Sequence, residues 1–141
     1  MRNIKEVVQK LKDKYNTNDP YKICDELDIW VYKEPLGKIK GHYTKYEGVK
    51  VFFINDNLNH VESKFCCAHE LGHAILHPDS NKYFNMAYTY FIHEKAEIEA
   101  DKFAAELLID DELIEEYKGY SIETISNATG IDSKYLELKL K

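Results

Sequence analysis

Apolar residues near the start of the chain recur at helical spacing. Ile4, Val7, Val8, Leu11 and Tyr15 follow an i, i+3, i+4, i+7 pattern, which predicts a helix with one buried stripe. Asn16-Thr17-Asn18-Asp19-Pro20 breaks it, and Asp19-Pro20 supplies an N-cap and first-turn proline for a short second helix to about Leu27. The period then shortens. Ile29 to Lys33 reads as a strand, ended by Glu34-Pro35-Leu36-Gly37. Lys38 to Tyr46 and Val49 to Ile54 are rich in β-branched and aromatic residues around Glu47-Gly48, the pattern of a hairpin. The second arm is largely apolar, which implies burial on both faces or one face packed on the following helix.

After the loop Asn55 to Asn59, a helix starts near His60 to Ser63, runs to His77 and stops at Pro78. Between Phe65 and Leu76 apolar or small residues occupy nearly every direction, the mark of a buried helix. Asp79 to His93 reads as irregular. Its aromatic stretch, Tyr83 to Phe91, suits a lid or wall over a peptide as well as core packing. Glu94 to Ile109 is a strong helix, and Asp110 to Tyr117 a shorter one closed by Gly119. Ser121 to Ala128 and Asp132 to Leu140, on either side of Gly130, form a last helix pair. The expected fold class is α+β, mostly helical with a small antiparallel sheet beside the buried helix. Without repeats, low-complexity tracts or linkers, residues 1–141 are expected to form one domain.

Composition removes several classes of function. Apolar content is 44% and charged content 31%, ordinary for a globular protein. No apolar run approaches the ~20 residues of a membrane span, and the charged N-terminal segment lacks the apolar core of a signal peptide. The expected location is the cytoplasm, with no membrane partner. Three cysteines, Cys24, Cys66 and Cys67, two of them adjacent, make no disulfide framework and fit a reducing compartment. Cys66 and Cys67 read as small buried helix residues rather than metal ligands. Formal net charge is −6, and Arg2 is the only arginine, which argues against direct nucleic-acid binding.

The buried helix carries the chemistry. His69-Glu70-Leu71-Gly72-His73 reads H-E-x-x-H. On a helix the two histidines lie about one turn apart on one face and can close on one zinc ion. Glu70 falls ~100° round, beside the metal, where it can handle the proton of an attacking water. Residue frequencies give such a motif by chance roughly 0.03 times in a chain like this, so its surroundings must support it.

A hydrolytic zinc site needs a third protein ligand and one open position. The next long helix offers Glu97-Ile98-Glu99-Ala100-Asp101. Glu97 and Asp101 are four apart and share a face with Ala100, Ala104 and Leu108, as a close helix contact requires. Glu97 is the favoured third ligand. Asp101 is then placed to accept the free ring N–H of a ligating histidine and fix its orientation. Glu99 is the alternative, although it faces elsewhere. His77 beside Pro78 suits a helix cap, and Asp79 lacks the glycine turn that would bring it to a metal. His42, Tyr43, Tyr88, Tyr90 and His93 are candidate donors to a developing oxyanion, and spacing does not choose among them.

Two blocks, Phe65 to His77 and Glu97 to Leu108, carry the pattern HELGH-x-x-LH followed by E-x-E-A-[ND]-x-F-A-x-x-LL. In order and spacing they resemble the ImmA/IrrE family of metallopeptidases, over roughly residues 20 to 115. The resemblance implies a zincin-like α+β fold with zinc on His69, His73 and Glu97, and with Glu70 as the catalytic residue. It also implies cleavage of a helix-turn-helix transcriptional repressor, an anti-repressor role in phages or other mobile elements. Ile109-Asp110 departs from a turn common in the family. Two other functions stay open. One is a regulator that binds metal without catalysis. The other is a DNA reader built on the C-terminal pair, where residues 125–132 resemble the start of a helix-turn-helix unit; a plain hairpin covering the core is favoured. Oligomeric state and the bond cut are not legible.

Overall fold

The computed structural model describes residues 3–78 and 86–140, and of residues 86–93 the backbone alone. Helix α1 (Ile4–Tyr15) starts at Asn3, whose side chain accepts from the Glu6 amide, and buries Val8. Helix α2 (Pro20–Glu26) starts at Asp19, which caps the Tyr21 amide, with Pro20 in the first turn. Both follow the predicted starts. Strands β1 (Trp30–Glu34), β2 (Gly41–Tyr46) and β3 (Val49–Asn55) follow.

β2 and β3 form the predicted antiparallel hairpin, with Tyr46 opposite Val49. Glu47 and Gly48 between them both have positive φ, 49° and 81°, which matches the two-residue turn that best fits strand twist. β1 joins β3 in parallel, so the sheet is mixed, in the order β1-β3-β2. The expectation of a purely antiparallel sheet is corrected here: β2 crosses to the far side of β3 and leaves β1 to enter beside it. On the inner face Phe52 and Ile54 are fully buried. On the outer face Phe53 stacks with Tyr32 and His42, at ring separations of 5.9 and 6.4 Å. Among the described residues β2 is an edge strand of the sheet.

Helix α3 (His60–Leu76) begins with a reciprocal cap. Asn59 accepts from the Glu62 amide at 2.8 Å, and Glu62 accepts from the Asn59 amide at 3.1 Å. At its other end Lys50 donates to the Ala74 carbonyl and Lys45 to the Pro78 carbonyl, cations placed where the helix dipole is negative. Leu71, Cys67 and Ala68 are fully buried, each such apolar side chain of leucine size contributing about 2 kcal/mol. His69 and His73 are among the few positions between Ser63 and Leu76 that keep some exposure.

Helix α4 (Met86–Leu108) starts eight residues before the predicted Glu94, a correction to the expectation that the segment up to His93 is irregular. No proline or glycine lies between Met86 and Leu108, so nothing in the backbone stops a helix from propagating through the aromatic stretch. The Asp79 candidate, Tyr83-Phe84, and the side chains of Tyr88, Tyr90 and His93 lie outside the described residues, and so does most of the expected lid. Short helices α5 (Asp111–Glu116), α6 (Ile122–Thr129) and α7 (Ser133–Leu140) complete the chain. α7 packs on α4, and its Tyr135 and Leu136 are buried. Lys139 pairs with Glu106 at 2.8 Å. Among the described residues no helix is long and apolar enough to cross a membrane.

Two glycines set how closely these elements approach. A Cβ added to Gly72 would sit 3.0 Å from Phe103 Cβ and 3.1 Å from Ala100 Cα, so α3 and α4 cross nearly backbone to backbone. A Cβ on Gly41 would overlap Cys66 Sγ and come within 3.3 Å of Glu70 Oε2, so β2 lies directly over α3. Buried Asn55 secures the approach to β2. Its Nδ2 donates to the Gly37 and Ile39 carbonyls, both at 2.9 Å.

Candidate metal centre

The crossing at Gly72 brings the stretch of α4 from Glu97 to Phe103 against the C-terminal half of α3. Glu97 Oε1 stands 2.8 Å from His73 Nε2, and Glu97 Oε2 stands 3.0 Å from His69 Nε2. The two Nε2 atoms are 3.2 Å apart. Each residue thus presents one ligating atom to a common point, all within 4.8 Å of one another.

The ring orientations follow from the partners. Asp101 Oδ1 lies 2.8 Å from His69 Nδ1. With Nδ1–H donated there, the lone pair of His69 sits on Nε2 and faces the common point. Glu99 stands outside the trio, near His77 at 3.6 Å. His77 ends α3, its amide bonded to the His73 carbonyl. The structure brings Glu97 to both histidines and leaves Glu99 beside His77, while Asp79 lies outside the described residues.

The donor set suits a divalent cation. Tetrahedral ligand atoms at ~2.0–2.1 Å from zinc stand about 3.3 Å from one another, close to the 3.2 Å between the two Nε2 atoms, with a Glu97 oxygen 2.8 to 3.0 Å from each. Two imidazole lone pairs and a carboxylate converging at this range need a positive charge between them. Without a cation a proton serves. Burial alone would hold the His69 imidazole low, but its bonds to Asp101 and Glu97 outweigh burial and lift it to about 9. The same two histidines hold the Glu97 carboxyl well below the usual range.

Glu70 is 7% exposed, and burial pushes its carboxyl up against the pull of His69 and His73. It makes no hydrogen bond to another described residue, so its oxygens remain available to water or substrate. It shares a cavity of about 680 Å³ with all three trio members. One wall is the edge strand β2 at Gly41, His42 and Tyr43, and the floor is α3. A second wall is the turn from α6 to α7, with Ile131, Lys134 and Tyr135. Of the donor candidates, His42 and Tyr43 reach this cavity. Sequence reasoning missed the second wall, because Lys134 and Tyr135 belong to a helix whose pattern reads only as core cover. Cys66 also lines the cavity, and burial raises its thiol to about 12, so it stays protonated.

A cleft with this donor set, crossed by an acid on the metal-facing helix, defines a class that comparison with known proteins makes specific. The chain belongs to the Peptidase M78 family, whose IrrE N-terminal-like domain model matches residues 24–140. It is 33% identical over 143 residues to the metallopeptidase ImmA of Bacillus subtilis (strain 168), covering 97% of this chain and 83% of that protein. It is 39% identical over 139 residues to "Uncharacterized immunity region protein 2" of Bacillus phage phi105, covering 96% of this chain and 88% of the relative.

Proposed function

We propose that this chain is a zinc endopeptidase that hydrolyses a peptide bond in a protein substrate, a helix-turn-helix transcriptional repressor. One observation carries the reading: His69, His73 and Glu97 converge in the same cavity as buried Glu70, in a chain of a metallopeptidase family. His69, His73 and Glu97 hold the ion, and Asp101 fixes the His69 ring. A zinc ion bound there would polarise a peptide carbonyl and acidify a nearby water.

The chain's own residues do the rest. The edge strand β2 offers backbone N–H and C=O groups to an extended peptide, which aligns it along the cleft. Glu70 takes the proton of the attacking water and delivers it to the leaving amine as the C–N bond breaks. Burial raises its pKa, which strengthens it as a base for the first half of that task. The repressor as substrate is supported by the family pattern in residues 65–108. It is also supported by the phage relative, whose name places that protein in an immunity region.

The test is cleavage of repressors encoded near the gene, by wild type and by Glu70→Gln, with metal content measured for both. Wild type should cut one of them, and the variant should lose about 10²- to 10⁴-fold in rate while keeping its metal. Equal rates would exclude the mechanism. Metal retention without any cleavage would favour a metal-binding regulator instead.

A further inference from the structure

Resting on that hydrolytic reading, we propose that Tyr135 is a catalytic residue, its phenol hydroxyl donating to the carbonyl oxygen of the scissile bond as negative charge develops there. Tyr135 stands in the first turn of α7 and is 8% exposed, yet it lines the same cavity as β2 and Glu70. Its ring is held by Phe65 of α3, with centroids 4.5 Å apart. Its neighbour Lys134 links it to the metal site. Lys134 Nζ stands 5.0 Å over the Tyr135 ring and 3.8 Å from Asp101 Oδ1, which in turn bonds His69. A short run of contacts thus ties the ring to a ligand of the proposed ion.

A buried tyrosine usually finds a partner for its hydroxyl. Among the described residues that of Tyr135 has none, so its donor is free for a group that enters the cavity. Tyr21 shows the contrast, for its hydroxyl is bonded to Ser63. Burial raises the Tyr135 pKa, and Asp101, Cys66, Asp132 and Glu70 raise it further, so the hydroxyl keeps its proton. The other candidates whose side chains are described, His42 and Tyr43, line the cavity from β2 and lack a comparable link to the metal-site residues through Lys134 and Asp101. Tyr43 packs edge-on against Phe52 at 5.4 Å, and His42 stacks on Phe53 on the outer face of the sheet. A donor aimed at the developing oxyanion, and not at the ground-state substrate, is worth about 10²- to 10³-fold in kcat.

Tyr135→Phe removes one oxygen and leaves the ring on Phe65. With the repressor cut by wild type, kcat should fall about 10²- to 10³-fold, with KM, metal content and Tm little changed. A peptidyl phosphonate, whose tetrahedral oxygens resemble the transition state, should lose affinity in step with kcat/KM, a change that a purely structural role would not produce. A kcat within threefold of wild type overturns the assignment, as does a fall in metal content or Tm that accounts for the lost rate. Glu70→Gln assayed beside it separates the two readings. If Glu70→Gln is inactive and Tyr135→Phe is not, only Tyr135 is misassigned. If Glu70→Gln is fully active, or wild type cuts nothing, the hydrolytic reading fails and this assignment with it.

Discussion

Asp101 holds His69 from behind: its Oδ1 lies 2.8 Å from Nδ1, on the side of the ring away from Glu97. The bond fixes both tautomer and ring angle, so Nε2 is aimed before any ion arrives. Asp101→Asn keeps the shape but removes the charge, and its amide can turn either oxygen or nitrogen to the ring. Zinc affinity is expected to fall about 10- to 100-fold, the usual cost of losing such a partner. Competition with a chelator of known affinity measures it. An affinity within twofold of wild type would mean that the ring is held by packing alone.

The metal-free centre should be pH-sensitive in a defined direction. The folded pKa of His69, about 9, lies above its ordinary value of 6.5. A raised histidine stabilises the fold fully below the unfolded value, and the contribution is lost as pH rises through the folded one. The Tm of metal-free protein should therefore fall between about pH 6.5 and 9. Zinc must displace that proton, so its apparent affinity should weaken as pH drops below about 9, by up to tenfold per unit. Calorimetry at pH 7 in buffers of different ionisation enthalpy should count close to one proton released per ion. A count of zero would show that His69 is neutral before binding.

The H-E-x-x-H pattern made the two histidines legible, because helical spacing alone puts them on one face. Glu97 was legible through the small residues that share its face: Ala100 marks the crossing, where it lies against Gly72. The two-residue turn at Glu47-Gly48 and the reciprocal cap at Asn59 and Glu62 are also local, and local rules read them. The parallel entry of β1 was not legible, because nothing in residues 30–34 encodes which edge of β3 they will meet. Tyr135 was equally hidden. Its place in the cavity depends on how α7 packs against α4, where pairs such as Lys134 and Asp101 are far apart in sequence. The start of α4 at Met86 shows the limit from the other side: aromatic residues weaken a helix by a few tenths of a kcal/mol each, too little to stop one without a proline or glycine.

Gly72 tests whether helix approach, and not ligand identity alone, makes the centre. Gly72→Ala should improve helix propensity by about 1 kcal/mol. The added Cβ, however, meets the Ala100 backbone and the Phe103 ring at 3.0 to 3.1 Å, which must move apart. Overpacking of this kind costs about 1–3 kcal/mol. Net stability should fall, and because Glu97 rides on the same helix, zinc affinity should fall with it. Thermal melts with and without zinc check both. A variant more stable than wild type with unchanged affinity would show that α4 can shift without disturbing the trio.

Gly41 makes the same argument for the substrate wall, with a different signature. Its added Cβ meets Cys66 Sγ and Glu70 Oε2 instead of a ligand helix. In Gly41→Ala β2 must lift from α3, or Cys66 and Glu70 must turn away. His69, His73 and Glu97 lie on α3 and α4, so zinc content should remain near wild type. In the proposed mechanism β2 aligns the peptide and Glu70 moves the proton, so the loss should fall on catalysis. We expect kcat/KM for the repressor to drop at least tenfold, since misplacement by about 1 Å can cost 10²-fold. Pairing Gly41→Ala with Cys66→Ala gives room back to the introduced methyl. If the crowding at Cys66 is the cause, the double variant should recover much of the lost activity. If Gly41→Ala alone is as active as wild type, β2 does not set the geometry of the cleft.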